Sequence, residues 1–322
     1  MPDLGIDAEQ AIDAICRDIA HHIEREGTKG VVLGLSGGLD SSVLAALAVR
    51  ALGSDHVTLV YLFDHDSDQS IAANAHLVAK HLKIELEVID ITREIQNRGV
   101  YKPLFIKLLR LSTIVARLSA GSYLLICGET PFKSTLRVGR GEVLRPWYKR
   151  LLFGLTMHHV DFGFSQRHTF RREILERMAQ ERSLSLIGAA NFSECAVGWF
   201  VKDGIDDLDY QPLSGLFKTQ VRQLAQALEL PKPVCTQLPS PDMAKGVTDE
   251  FGIGHDYSIV DIVIDGFVSG LTDKEIAALG IPQKEIDDIR DLMELSDWKR
   301  QRRHHEPPVS GKYGSALRKG AV

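Results

Sequence analysis

The chain has 322 residues, with 38 Lys and Arg against 43 Asp and Glu, a formal net charge of −5, and 44% hydrophobic residues. That composition supplies a large apolar core and excludes collagen-like, low-complexity and wholly disordered chains. The length admits one large α/β domain or two smaller ones.

Taken in chain order, Ile6, Ala11, Ile12, Ile15, Ile19 and Ile23 recur at helical spacing, which predicts an amphipathic helix ending near Glu26 with Gly27 as its C-terminal cap. A short apolar run over 30–35 reads as a buried strand. The segment SGGLDSS follows it and opens an apolar helix over 43–52. Next come a strand over 56–63, a helix over 70–82 with Ser70 as its N-cap, and a strand over 84–91. A helix over 170–182 then feeds a strand over 184–188. Strands alternating with helices predict parallel βαβ units, hence a doubly wound α/β fold with a covered parallel sheet.

Between 92 and 169 the βα rhythm is lost, and the stretch reads as a helical insertion with a loop-like middle at 139–146. It is strongly basic. Residues 101–150 hold ten Lys and Arg opposed only by Glu129 and Glu142, so this segment carries +8 and the remainder −13. Such a block attracts phosphates, nucleic acid or an anionic membrane face; a solvated helical face or a self-association surface accounts for it equally well. From residue 246 to 322 the chain reads as helical again, and the whole is taken as one domain.

Cys16, Cys127, Cys195 and Cys235 are widely spaced and contain no CxxC pair, which excludes a disulfide framework, a zinc ribbon and a thioredoxin-type motif. The N-terminus lacks a basic start followed by an apolar core, so no secretory signal is visible. The most apolar stretch, 104–127, is interrupted by Lys107, Arg110 and Arg117 and falls short of the roughly 18 apolar residues of a transmembrane span. A cytoplasmic location is expected.

The strongest chemical signal is Gly34-Leu-Ser36-Gly37-Gly38-Leu-Asp40-Ser41-Ser42 between a strand and a helix. Small residues let the backbone wrap an anion, while the helix N-terminus offers unpaired N–H groups and the positive end of its dipole. Ser36, Ser41 and Ser42 add hydroxyl donors. Asp40 repels phosphate unless a cation lies between them. The loop lacks the Gly-Lys-Ser/Thr ending of a Walker A motif and the spacing of a dinucleotide fingerprint.

This loop resembles the pyrophosphatase loop of enzymes that cleave ATP between its α and β phosphates. Further collinear segments narrow the resemblance: Gly188-Ala-Ala-Asn191-Phe-Ser193-Glu194, Gly198-Trp-Phe200-Val-Lys202, and Asp209-Tyr-Gln-Pro212 running on to Lys218-Thr-Gln220. Pro239-Ser240, Thr248-Asp249-Glu250, Gly254-His-Asp-Tyr257 and Asp261 then follow in order. Together they are similar to the NAD synthetase family over 30–91 and 184–262.

The resemblance implies the fold of the adenine-nucleotide alpha-hydrolase (pyrophosphatase-loop) type. It further implies that ATP activates the carboxylate of nicotinic acid adenine dinucleotide, after which ammonia displaces AMP to give NAD. Asp40 and Glu194 match the family's magnesium-binding carboxylates, a donor set that suits Mg2+. Lys218 and Ser240 match positions that hold ATP phosphates, and Arg171 matches one of two arginines near the nucleotide. Asp40, Lys218 and Ser240 are the expected catalytic residues, with Gly34, Ser36, Gly37, Gly38, Ser41, Ser42 and Arg171 completing the ATP site. Lys202 matches a lysine of the dinucleotide site, and Asp209 is placed with it. A homodimer is implied. Only about 30 residues precede the loop, so the expected nitrogen source is free ammonia or a separate glutaminase, and no nucleic-acid partner is expected.

The sequence departs from the family pattern at Thr169, in place of the first arginine; at Ile205, in place of an aspartate; and at Val247, in place of a glutamine. Arg167 and Arg172 are the neighbours available to compensate for Thr169. The ATP half is close to pattern, whereas the half that takes the acid is altered. A ligase acting on a different carboxylic acid therefore stays open, as does a protein that binds ATP without turnover. So does a pyrophosphatase-loop sulfurtransferase using Cys195, beside Glu194, or Cys235. Asp64-His65-Asp66-Ser67-Asp68 is read as turn and capping chemistry rather than a metal site.

Overall fold

A computed structural model describes residues 4–110, 112–239 and 248–300. The elements run α1 (Ala8–Glu26), β1 (Val31–Gly34), α2 (Leu39–Leu52), β2 (Val57–Phe63), α3 (Gln69–His81) and β3 (Leu86–Asp90). The insertion follows as α4 (Thr92–Asn97), α5 (Leu104–Leu109), α6 (Thr113–Cys127), α7 (Pro131–Gly139) and α8 (Trp147–Leu155). Then come α9 (Met157–Arg182), β4 (Ser185–Leu186), α10 (Phe192–Val197), α11 (Lys218–Ala227) and α12 (Lys232–Thr236). The chain's last described part holds α13 (Asp249–Ile253), α14 (Tyr257–Val268), α15 (Asp273–Ala278) and α16 (Gln283–Leu295).

The four strands pair in the order β3-β2-β1-β4, all parallel. The period of two along a strand decides which layer each side chain joins. Val31 and Leu33 of β1, with Leu59 and Tyr61 of β2, face the layer of α1, α2 and α11. Val32, Val60 and Leu62 face the opposite layer, where Leu175, Met178 and Ala179 of α9 and Ile95 of α4 cover them. Both faces are covered, so the sheet is doubly wound as expected. Ile12, Ile15 and Ile19 of α1 are fully buried, each contributing about 1.5–3 kcal/mol. A third core gathers Phe192 and Ala196 of α10 with Tyr257, Val263, Ile289 and Leu292 from α14 and α16. The insertion has a small core of its own, made of Tyr123, Cys127, Leu144, Phe153 and Met157.

Several boundaries differ from the sequence reading: α2 begins at Leu39 rather than 43, and three further differences have a clear physical reason. The N-cap of α3 is Asp68, whose carboxylate accepts from the Ser70 N–H; Ser70 itself lies inside the helix, because a carboxylate at the cap position reaches the free amide. The helix expected over 170–182 begins at Met157. Met157 and Phe164 turn to one side and Phe162 is exposed on another, so the apolar residues of its first half fall on several faces and hide the helical period. The strand expected over 184–188 pairs only over Ser185–Leu186, although the Ile187 N–H still donates to Val32 O. The loop-like middle of the insertion does lie between α7 and α8.

Candidate active site

At the carboxyl end of β1 the chain turns through Gly37 at φ 87°, where a Cβ would sit 2.1 Å from Ile71 O, so this approach to α3 needs glycine. Gly38 is the N-cap of α2 and offers no side-chain cap, which leaves the first amides of the helix free for a ligand. Ser36 Oγ accepts from the Gly38 N–H at 3.2 Å and lies 3.0 Å from Ser41 Oγ. Ser42 is fully buried and donates to Gly38 O at 2.7 Å, so its hydroxyl serves the helix start.

Three helix starts bring the charged groups together. Asp40 is in the first turn of α2, Glu194 in the first turn of α10, and Lys218 is the first residue of α11. Lys218 is 1% exposed, and its ammonium donates to Asp40 Oδ2 at 2.5 Å and to Glu194 Oε1 at 2.9 Å. Asn191 caps α10 by accepting the Glu194 N–H and donates from its amide nitrogen to Asp40 Oδ1, both at 3.0 Å. Asp261 on α14 holds the start of α11: Ser193 donates to it, and so does the Thr219 N–H, while the Lys218 N–H donates to Ser193 Oγ.

Burial disfavours the Lys218 charge, but Asp40, Glu194 and Asp249 outweigh it and hold the ammonium well above the usual lysine range. Burial pushes the Glu194 carboxyl up to about 8, against the pull of Lys218 and with Asp40 adding to the rise. Burial likewise pushes Asp249 up to about 6, and its Oδ1 is buried without a hydrogen-bond partner. Both carboxyls are held up because one ammonium does not offset three acidic groups at close quarters, and a second cation would bring them down. The site suits a further cation.

These groups line a cavity of about 1000 Å³ that runs from Gly34, Ser36, Gly38, Asp40 and Ser41 past Lys218 and Arg171 to Lys133 and Asp288. Its volume is at the upper end for small-molecule sites. The insertion is part of its wall rather than a separate appendage: Leu109, Ala120 and Leu124 line it, as do Met157 and Phe164 of α9. Arg171 Nε is buried there without a hydrogen-bond partner. Ile205 also lines the cavity, so an apolar side chain stands where the resemblance expects an aspartate. Thr169 turns its hydroxyl back to Ser165 O, and Arg172 bonds Glu176 and Asp207 O. Arg167 is buried against Asp64 and Asp66, whose loop forms a turn and caps α3.

Other expected residues lie apart from this cavity's lining. Gly37 shapes the loop and Ser42 the helix start without lining the cavity. The Lys202 ammonium lies against Trp298, 3.4 Å from its carbonyl oxygen, and Asp209 is exposed on the surface. Ser240 and Val247 fall outside the described residues. Cys195 and Cys235 do not line the cavity; burial raises both thiols, the reverse of what an activated thiolate requires. Sequence reasoning missed the cavity-lining pair His168 and Asp206, with Nδ1 2.6 Å from Oδ2. Their 38-residue separation carries no spacing signal.

Residues 11–102 and 165–303 match the NAD synthase family profile, which is most of the chain. The chain belongs to the NAD synthase family. It is therefore an enzyme of that family, and the family match skips 103–164, which holds most of the basic insertion. The chain is 30% identical to the NH3-dependent NAD synthetase of Coprothermobacter proteolyticus over 257 residues, 79% of this chain and 83% of the relative. It is 29% identical to that of Thermotoga maritima over 87% of this chain and 92% of the relative. Among solved structures, the NMN synthetase of Francisella tularensis superimposes with a TM-score of 0.65 at 21% identity, covering 92% and 97% of the two chains. The NH3-dependent NAD synthetase of Campylobacter jejuni gives 0.60 at 17% identity, covering 91% and 96%. These structural likenesses concern the fold, and they agree with the doubly wound sheet and its helical layers. Among the described residues no helix is long and apolar enough to cross a membrane.

Proposed function

We propose that the protein is an ammonia-dependent NAD synthetase. ATP adenylates the carboxylate of nicotinic acid adenine dinucleotide, pyrophosphate leaves, and ammonia displaces AMP to give NAD. The observation that carries this reading is Lys218, clamped between Asp40 and Glu194 where three helix starts converge beside the glycine loop. Its ammonium is suited to neutralise charge developing on the departing pyrophosphate, and the free amides in the first turn of α2 are suited to take a phosphate oxygen. Arg171, with its unpartnered Nε, is a second cation for the phosphates. No side chain need become a covalent nucleophile; positioning and charge stabilisation account for the reaction.

Asp40 and Glu194 are the residues suited to hold Mg2+, supported by the raised carboxyls of Glu194 and Asp249, which a cation would bring down, and by the orphaned Asp249 oxygen. Two carboxylates leave most of an octahedral ion's oxygens to come from ATP and water. Bound there, Mg2+ would neutralise phosphate charge. We further read the enzyme as a cytoplasmic homodimer supplied with free ammonia or by a separate glutaminase; its four free cysteines suit a reducing compartment.

The test is turnover with ATP, magnesium, nicotinic acid adenine dinucleotide and ammonium, following AMP and NAD together. Equal yields are expected. The apolar Ile205 on the cavity wall favours a second reading, a ligase for a different carboxylic acid. AMP formed only with another acid in a carboxylate screen would establish it and overturn the first.

A further inference from the structure

One face of α9 looks into the cavity: Phe164, His168, Arg171 and Leu175 all line it, at the spacing i, i+4, i+7 and i+11. The glycine loop fixes their order along the wall. Leu175 Cδ1 lies 3.4 Å from where a Cβ on Gly34 would sit, so this end of the face abuts the loop. Arg171, the second cation for the phosphates, comes next, and His168 follows about 4.5 Å further along the helix axis. In an acyl-adenylate the carbonyl carbon is joined to the α phosphorus through a single oxygen. A side chain one turn past the phosphate cation, on the side away from the loop, is at the right reach for it.

Asp206 holds this imidazole in place. His168 Nδ1 is 2.6 Å from Asp206 Oδ2, and Gly204 permits the approach, since a Cβ on it would come 2.8 Å from His168 Cβ. Burial would raise the Asp206 carboxyl, but His168, Arg171 and Lys299 bring it below the usual carboxylate range, so it stays an anion. An anion beside Nδ1 keeps a proton on that nitrogen and leaves the ring's lone pair on Nε2. Among the described residues Nε2 has no partner. The titratable groups nearby are otherwise engaged. Lys299 donates to Gly198 O at 2.8 Å and to Phe200 O at 2.6 Å and so needs its protons, while Asp161 faces Lys299 and His158. His255, the other imidazole in the cavity wall, lies at the far end with Asp288, Glu285 and Lys133.

We propose that His168 is the proton acceptor of the second half-reaction: its Nε2 takes a proton from ammonium and frees the ammonia that attacks the acyl-adenylate. This role rests on the synthetase reading above. At neutral pH the nitrogen arrives almost wholly as ammonium, which has no lone pair to attack with. Once Nε2 has taken the proton, the nitrogen lone pair forms the C–N bond. The bond from the carbonyl carbon to the AMP oxygen breaks, and its electron pair leaves on the AMP phosphate. The new amide nitrogen gives one proton to water and the imidazolium returns another, so ammonium and acyl-adenylate yield amide, AMP and two protons. Asp206 is a positioning residue that acts through the ring. It adjoins Ile205, so this chain carries an imidazole and a carboxylate beside the position where the resemblance expects an aspartate.

The two half-reactions can be read apart on the full chain. Exchange of pyrophosphate into ATP with nicotinic acid adenine dinucleotide reports adenylation with no nitrogen source present. Hydroxylamine, which is neutral at pH 7, reports acyl transfer that needs no base to free the nucleophile. His168→Gln is expected to keep exchange and hydroxamate formation near the parent rates while NAD formation from ammonium falls about 10²-fold. Asp206→Asn should show the same pattern, because an amide there donates to Nδ1 and leaves the ring proton on Nε2; Asp206→Glu should restore part of the rate. Circular dichroism should match the parent in all three. An unchanged rate with ammonium in His168→Gln and Asp206→Asn overturns the proposal. So does a loss of exchange and hydroxamate as large as the loss with ammonium, which would make the pair a holder of the acid or of the fold. Absence of exchange in the parent would instead overturn the synthetase reading, and this role with it.

Discussion

Lys218 shows what its surroundings add to a residue that the family resemblance had already singled out. Taken alone in the sequence it is one lysine among many; in the structure it is a fully buried ammonium between two carboxylates. Lys218→Met is expected to lower the rate of AMP formation by about 10²–10³-fold, as for loss of a group that stabilises transition-state charge. Asp40→Asn and Glu194→Gln should each abolish magnesium-dependent AMP formation with the fold retained; normal turnover in both would refute the metal assignment. Cys195→Ser and Cys235→Ser should leave turnover near the parent value, since neither thiol lines the cavity.

Asp64 belongs to the same scale but governs stability. Burial raises its pKa, yet Arg167, Arg171 and the Asp66 N–H overcome that and bring it below the usual value. A depressed carboxyl contributes stability that is complete above its unfolded pKa of about 3.9 and is lost as pH falls through the lower folded value. Urea unfolding of the parent should therefore weaken more steeply than that of Asp64→Asn as pH drops from about 5 to 3. At pH 7 the variant should be less stable by about 3 kcal/mol, because Arg167 stays buried with one partner removed. Equal acid dependence in the two proteins would show that the pair makes no such contribution.

At the scale of elements, the glycine loop, α2 and the apolar strands were readable because each rests on local chemistry: period, caps and small residues. Gly37→Ala meets Ile71 O and strains the backbone by about 1–3 kcal/mol. Calorimetry should register a lower unfolding temperature, and kinetics a higher KM for ATP, since the displaced loop faces the phosphates. An unchanged KM would mean that the loop tolerates the shift. The true start of α9 was not readable. Its first half is flanked by the cavity on one side and solvent on another, so no single apolar face repeats. The partners of Arg167 were hidden for another reason, since Asp64 and Arg167 are about a hundred residues apart.

For the whole molecule, β1 and β2 belong to both layers' cores, whereas the separate core under α6 and α8 has only five buried residues. Regions with few buried contacts open at lower free energy. Amide hydrogen exchange should accordingly be fastest in 104–155 and slowest in 31–34 and 57–63. Uniform protection across these segments would show instead that the insertion unfolds only with the sheet.

By itself the sequence determined the order of strands and helices, the doubly wound class, the anion-binding loop and the family, because these depend on spacing and on residues near one another in the chain. The tertiary structure alone decided that Lys218 meets Asp40 and Glu194 and that Ser42 serves its own helix. It also decided that Ile205 and the insertion wall the cavity while Lys202 turns to Trp298. The reason is physical. Local pattern fixes which face of an element is apolar, but charge pairing and cavity shape arise from where separate elements meet.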